Sequence, residues 1–212
     1  MEKKIRIPTQ KRALDKIDKI VDAAFKLFNE KGYYNTTTVD IANEAKVATG
    51  SVYSYFKDKK EIYIQVMKRI DEKFDDPTRE FWLKNKIPFD NAGAIKELFG
   101  LFLKLMLSHH NFSKTFHDEM EALRLIDEDI RKVHLELDEQ RFRKTKEIFD
   151  FLNLPFKSQN DEDIFLHYSI FLIDDLCHTI LYENAFKNTD LCTERCSHML
   201  YSLFEVTTIR QS

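Results

Sequence analysis

Four glycines (Gly32, Gly50, Gly93, Gly100) and four prolines are all that 212 residues contain. That scarcity bounds the fold more tightly than any other feature. Barrels and sandwiches spend Gly and Pro at their tight reversals, and phosphate-cradling loops need glycines close together. A chain so poor in both is expected to be helices joined by short polar links. With 43% hydrophobic and 33% charged residues it can fill a core and cover it, which excludes wholesale disorder. The scattered glycines cannot build a P-loop or a dinucleotide turn, and no HExxH or GxSxG run is present. Nothing points to an enzyme.

Helical periodicity begins early. Ile17, Ile20, Val21, Ala24, Phe25 and Phe28 form one stripe, with Asp and Lys on the other faces. Gly32 is placed to stop that helix. Thr37-x-x-Asp40 is a capping-box start for a short helix, and another short helix is expected over 49–55. Asp58-x-x-Glu61 then opens a longer helix with the stripe Ile62, Val66, Ile70 and Phe74. Asp76–Pro77 is expected to end it, leaving the stretch to Asn91 as a linker with one helical turn around Phe81 and Trp82. Helices resume at 92–109, 113–125, 128–153, 161–187 and 190–209. The fold class is therefore all-α, with a short three-helix head (1–70, its connecting helix starting at 58) and a larger helical body (71–212).

Charge separates the same two parts. Residues 1–70 carry 15 Lys+Arg against 9 Asp+Glu, hence +6; the remainder carries 18 against 27, hence −9; together they give the net −3. A basic head on an acidic body suits a polyanion bound at one end. The cysteines Cys177, Cys192 and Cys196 are odd in number and lack framework spacing, as in a reducing compartment. The N-terminal run has no apolar core of a signal peptide, and the apolar stretches 98–107 and 164–173 fall short of the ~20 residues of a membrane span. A soluble cytoplasmic protein with no membrane partner is expected.

Two short helices joined by a tight turn and braced by a long one have the form of a helix-turn-helix. The second helix must enter a major groove, so its outer face should carry small or hydrogen-bonding side chains. Thr49, Gly50, Ser51, Tyr53, Ser54 and Tyr55 fit, with Val52 and Phe56 as inward anchors and Lys57, Lys59 and Lys60 following towards phosphate. Tyr53 and Tyr55 are also compatible with ordinary places in the core. The run Gly32-Tyr33-Tyr34-Asn35-Thr36-Thr37, then Asp40-Ile41-Ala42, Ala45-x-Val47, Gly50-x-Val52-Tyr53-x-Tyr55-Phe56 and Lys59-x-Glu61-Ile62, resembles the TetR/AcrR family of transcriptional regulators. The resemblance covers about residues 12–65. Two positions depart from it: Lys46 stands where the family usually has Gly in the turn, and Ala48 where it has a capping Ser. Thr49 is then the expected cap, and Lys46 adds a cation near DNA.

The resemblance implies a repressor whose head binds double-stranded operator DNA. It also implies that the body binds a small molecule and forms a homodimer through the last two helices. Expected DNA contacts are Thr37, Lys46, Thr49, Gly50, Ser51, Tyr53, Ser54, Tyr55 and Lys59, with Thr37 and Lys59 on phosphate. One recognition helix reads too few bases alone, so a palindromic site is expected. Apolar stripes on Ile164, Tyr168, Phe171 and Leu172, and on Cys196, Met199, Leu200 and Leu203, are candidates for the dimer face or for closing the monomer core. Phe99, Phe102, Met106, Phe116, Met120 and Phe142, with His117 and His134 as orienting groups, are the expected lining of an apolar effector pocket. A body that binds a protein partner instead is the alternative. Asp174 and Asp175 interrupt an apolar helix and call for pairing or exposure. Cys192, Cys196 and His198 share a helix face, yet zinc needs four convergent ligands, so free thiols, no metal and no cofactor are expected.

Overall fold

The computed structural model describes residues 11–110 and 112–209; the N-terminal run ahead of Lys11 lies outside them. In chain order the helices are α1 (Lys11–Lys31), α2 (Thr38–Glu44), α3 (Thr49–Tyr55), α4 (Lys59–Lys84), α5 (Ala92–His109), α6 (Lys114–Ile126), α7 (Glu128–Phe151), α8 (Gln159–His178) and α9 (Thr189–Thr207), with a π-helical turn over Thr179–Glu183. No strand occurs among the described residues. They form two compact units, one of residues to Glu72 plus Phe112–Leu137, the other of residues 73–110 plus 138–209. α4 and α7 run through both.

The first unit is built on the stripe read from α1, of which Ile20, Val21, Ala24 and Phe28 are fully buried. α2 starts on its capping box: the Thr37 hydroxyl accepts the Asp40 N–H at 3.1 Å, and the Asp40 carboxylate accepts the Thr37 N–H at 2.8 Å. α3 inserts Val52, and Phe56 follows it inward. At the centre stands Tyr63 of α4, with Phe28 and Phe116 around it at 6.2 and 6.5 Å between ring centroids. Each of these rings contributes about 1.5–3 kcal/mol by leaving water. Phe116, Met120 and Leu123 form the buried face of α6, and that helix packs on α1 to close the same core.

In the second unit α5 and α8 both pack on α9. The ring of Phe204 meets Phe99 at 5.8 Å and Phe165 at 5.6 Å. Here one expectation is corrected: α4 does not stop at Pro77 but continues to Lys84. Proline removes one donor, the N–H that would reach the carbonyl of residue 73. The last turns of α4 are held by tertiary packing, with Trp82 and Phe81 against Phe102 at 4.9 and 5.3 Å. Of the stretch expected as a linker, only the residues between α4 and α5 are irregular.

α8 and the π-helical turn together make a 25-residue helix, Gln159–Glu183, of mean hydropathy 1.4, long and apolar enough by length and composition to cross a membrane. The shorter stretch read from sequence missed its flanks. One face of it packs in the core through Phe165, Leu166, Leu176 and Cys177; Ile164, Tyr168 and Phe171 stand exposed on the other. Asp174 is paired with Arg141 at 3.2 Å, and Asp175 is exposed. Burial pushes the Cys177 and Cys196 thiols up to about 12, so they are protonated and inert at neutral pH.

Candidate nucleic-acid interface

Three short backbone segments position the exposed side chains of the head. The first is the turn from α1 into α2, closed by Gly32 at φ +87°. The second is the turn from α2 into α3, where Lys46 stands at φ +54°. That left-handed conformation is the one glycine adopts freely and a lysine does not. Its N–H still closes the turn on the Asn43 carbonyl at 3.1 Å. The third is the start of α3. Its N-cap is Ala48, with no side-chain cap; Thr49 is already the first helical residue. The expected cap by Thr49 is thus corrected, and its hydroxyl is not committed to capping.

From these segments Thr37, Lys46, Gly50, Tyr53 and Ser54 emerge exposed, with Thr49 and Ser51 half-exposed beside them. Tyr53 is 39% exposed, and its hydroxyl lies 2.7 Å from that of Thr38. The pair ties α3 to the first residue of α2. Thr38 is a positioning residue that the sequence reading overlooked, although it stands beside the cap in the run Thr36-Thr37-Thr38. Ser54 returns its hydroxyl to the Gly50 carbonyl at 2.9 Å. Lys46 makes no ion pair with any described residue, whereas Asp40 is held down to about 2 by Lys31 and by the Thr37 N–H and hydroxyl. The exposed strip is therefore polar, uncharged at its centre and cationic at the turn.

Two of the expected contacts, Tyr55 and Lys59, stand elsewhere, as does Lys60 beside them. Tyr55 is partly buried against the core, because i and i+3 from Val52 share its inward side. Lys59 does not reach outward: its amine donates to the carbonyls of Tyr33 at 2.6 Å and Thr36 at 2.8 Å and sits 4.1 Å above the Tyr33 ring. Burial lowers its pKa. Lys60 pairs with Asp129 at 2.7 Å and Asp127 at 3.3 Å. Of the three lysines after α3, Lys57 alone stands exposed. Backbone carbonyls and the acidic start of α7 compete for the other two, and neither competitor was visible in local sequence.

The eight residues expected around an effector do not share one interior. Phe116 and Met120 belong to the core of the first unit, where the His134 ring also lies 3.4 Å from the Tyr63 hydroxyl. His117 is beside Asp118 at 3.5 Å. Phe99, Phe102 and Met106 are buried in the other core, with Phe142 packed against it. The separation arises because the apolar face of α6 is spent on α1, not on α5.

Comparison with known proteins supplies the remaining evidence. Residues 20–66 match the family model described as bacterial regulatory proteins, tetR family. The chain is 48% identical over 56 residues to the HTH-type transcriptional regulator HbdR of Aromatoleum sp., covering 26% of this chain and 24% of that one. It spans only about a quarter of that relative's length. It is 30% identical over 152 residues to IcaR of Staphylococcus aureus, the negative transcriptional regulator of the biofilm operon icaADBC, covering 66% of this chain and 78% of IcaR. In fold it is similar to the transcriptional regulator FadR of Bacillus subtilis, solved in complex with stearoyl-CoA, at TM-score 0.63 and 20% identity, over 87% of this chain and 97% of that one. A capped α2, a polar α3 and the extended match to IcaR agree: the chain is a transcriptional regulator, not an enzyme, and belongs to the TetR family.

Proposed function

We propose that the protein is a repressor that binds a palindromic duplex operator as a homodimer and is released by a small, mostly apolar effector. The observation that carries the DNA reading is the outer side of α3, which exposes polar groups and glycine where a core helix would carry an apolar stripe. In this reading Thr49, Gly50, Ser51 and Ser54 meet base edges, and Thr37, Lys46 and Tyr53 meet phosphate. Lys59 braces the turn behind them. IcaR, a negative regulator, supports the repressor sense. Residues 1–70 read the DNA in the cytoplasm, and the body beyond them dimerises and takes the effector.

The effector reading now rests on the second unit, whose core holds Phe99, Phe102, Met106 and Phe142. FadR holds stearoyl-CoA, and a long acyl chain suits an aromatic surrounding of this kind. To release the operator, the effector must favour the arrangement that does not bind DNA, and DNA then weakens effector binding by the same factor.

Selection of bound duplexes from a random pool, followed by titration at several salt concentrations, tests the DNA reading. A two-fold symmetric site with steeply salt-dependent affinity is expected. Equal affinity for random DNA, or a flat salt response, overturns it. A thermal-shift screen of acyl and aromatic compounds tests the effector. If none stabilises the protein or changes operator affinity, the body takes a protein partner instead.

A further inference from the structure

Behind the α1–α2 turn lies a contact from far along the chain. α1 ends when the Gly32 N–H returns to the Phe28 carbonyl at 2.9 Å, the single-bond left-handed ending that leaves the following N–H without a helical acceptor. That N–H belongs to Tyr33, and it donates to the carboxylate of Glu119, 86 residues later on α6. The same carboxylate occupies the space of the missing Gly32 side chain. A Cβ built on Gly32 would lie 2.6 Å from both carboxylate oxygens. Gly32 is thus required twice, for its positive φ and for the approach of Glu119.

Several other polar groups of the turn are also taken. Lys59 covers the Tyr33 and Thr36 carbonyls, the Thr36 hydroxyl covers Gly32 at 2.7 Å, and the Asn35 amide covers Lys31 at 3.0 Å. Glu119 and Lys59 therefore hold opposite ends of the Tyr33 residue, an anion on its N–H and a cation on its carbonyl. A second stitch fixes the start of α6, where the Ser113 N–H donates to the Asn29 side chain at 2.5 Å. Between the stitches Phe116 is fully buried.

We propose that Glu119 is a positioning residue for DNA binding: by holding the Tyr33 N–H it fixes the turn that aims Thr37, Thr38 and, through Thr38, Tyr53. The inference rests on the DNA reading of the head. Its chemistry is distinct from that of a contact residue. Glu119 is an anion behind the interface, so a polyanion gains nothing from it directly, and removing it should help binding if only long-range charge mattered.

The test uses the full-length protein, as wild type, Glu119→Gln and Glu119→Ala, with affinity measured per folded molecule and amide hydrogen exchange measured without DNA. Loss of a charge-assisted hydrogen bond to a backbone donor predicts about tenfold weaker operator binding in Glu119→Ala. Base preference and salt slope should stay unchanged, since no phosphate or base contact is removed. Glu119→Gln, which keeps the acceptor, should recover most of the affinity. Exchange should rise at Tyr33 and through Thr37 and Thr38 in Glu119→Ala, and remain unaltered in α9. Unchanged or stronger operator binding in both variants overturns the proposal, as does a changed salt slope or a loss fully explained by unfolding. If wild-type protein does not distinguish its selected site from random DNA, the DNA reading fails. The exchange measurement then reports whether Glu119 holds the turn at all, and unaltered exchange overturns that too.

Discussion

Lys46 shows how one residue sets backbone comfort against charge. At φ +54° it pays for a left-handed turn, a conformation that costs a residue with a Cβ roughly 1–2 kcal/mol. Glycine would relieve that strain but lose about 0.5–1 kcal/mol to unfolded-state entropy. Lys46→Gly is therefore expected to raise stability by about 0.5–1 kcal/mol in urea unfolding, while weakening operator binding and lowering the salt slope by about one counterion. Stability unchanged together with undiminished DNA affinity would show that the cation has no part in binding. Ser51→Ala should behave in the opposite sense, leaving the salt slope alone and relaxing preference at one base pair by about 1–3 kcal/mol, measured by competition among single-base operator variants. The difference between these residues was legible in sequence, because departure from a glycine position and a small hydroxyl on an outer helix face are both local signals. Lys59 was not. Its spacing after α3 suits phosphate, but its partners are two carbonyls more than twenty residues earlier, and no local pattern reports a backbone acceptor brought in by the fold.

At the scale of elements, the stripes located every helix that caps and periodicity define, while two questions of partnership lay beyond them. Periodicity says which face of a helix is buried and not against what. α6 illustrates this. Its apolar face was readable, yet an expected pocket drew Phe116 and Met120 together with Phe99 and Phe102, when the two pairs belong to different cores. α4 illustrates the converse. Pro77 was a sound local reason to end a helix, overridden by Trp82 and Phe81 packing beyond it. The placement of α6 has a direct consequence. Phe116→Ala removes a fully buried ring from the core that carries α2 and α3, and such truncations cost about 3–5 kcal/mol. Effector-free protein should show that loss in chemical denaturation, with DNA binding failing in parallel with folding. If the variant keeps full stability and loses only its response to an effector, Phe116 lines a pocket after all and the packing argument is wrong.

For the whole molecule, α8 and α9 divide their apolar residues between the core and the surface. Leu200 and Cys196 of α9 are 3% and 2% exposed and pack inward, while Tyr168 and Phe171 of α8 and Met199 of α9 are 53%, 64% and 50% exposed. The α9 stripe read from sequence was thus a mixture, whereas the α8 stripe stands exposed at Ile164, Tyr168 and Phe171 with only Leu172 partly buried, a division that periodicity alone does not make. Large exposed aromatic and aliphatic groups on adjacent turns of one helix are costly to leave in water and suit an isologous contact in which each copy covers the other. A charge placed on the outward set should then act on assembly, and a charge on the inward set on folding. Phe171→Glu is expected to give a folded monomer of unchanged helicity by circular dichroism, with operator affinity reduced by a hundredfold or more because each subunit must then hold its half-site alone. Leu200→Glu, by contrast, buries an unpaired carboxylate in the subunit core and should unfold the second unit. Sedimentation velocity with circular dichroism distinguishes the cases. A Phe171→Glu protein that remains dimeric would move the dimer face away from α8, and a soluble, folded Leu200→Glu monomer would show that this leucine belongs to the contact between subunits and not to the core.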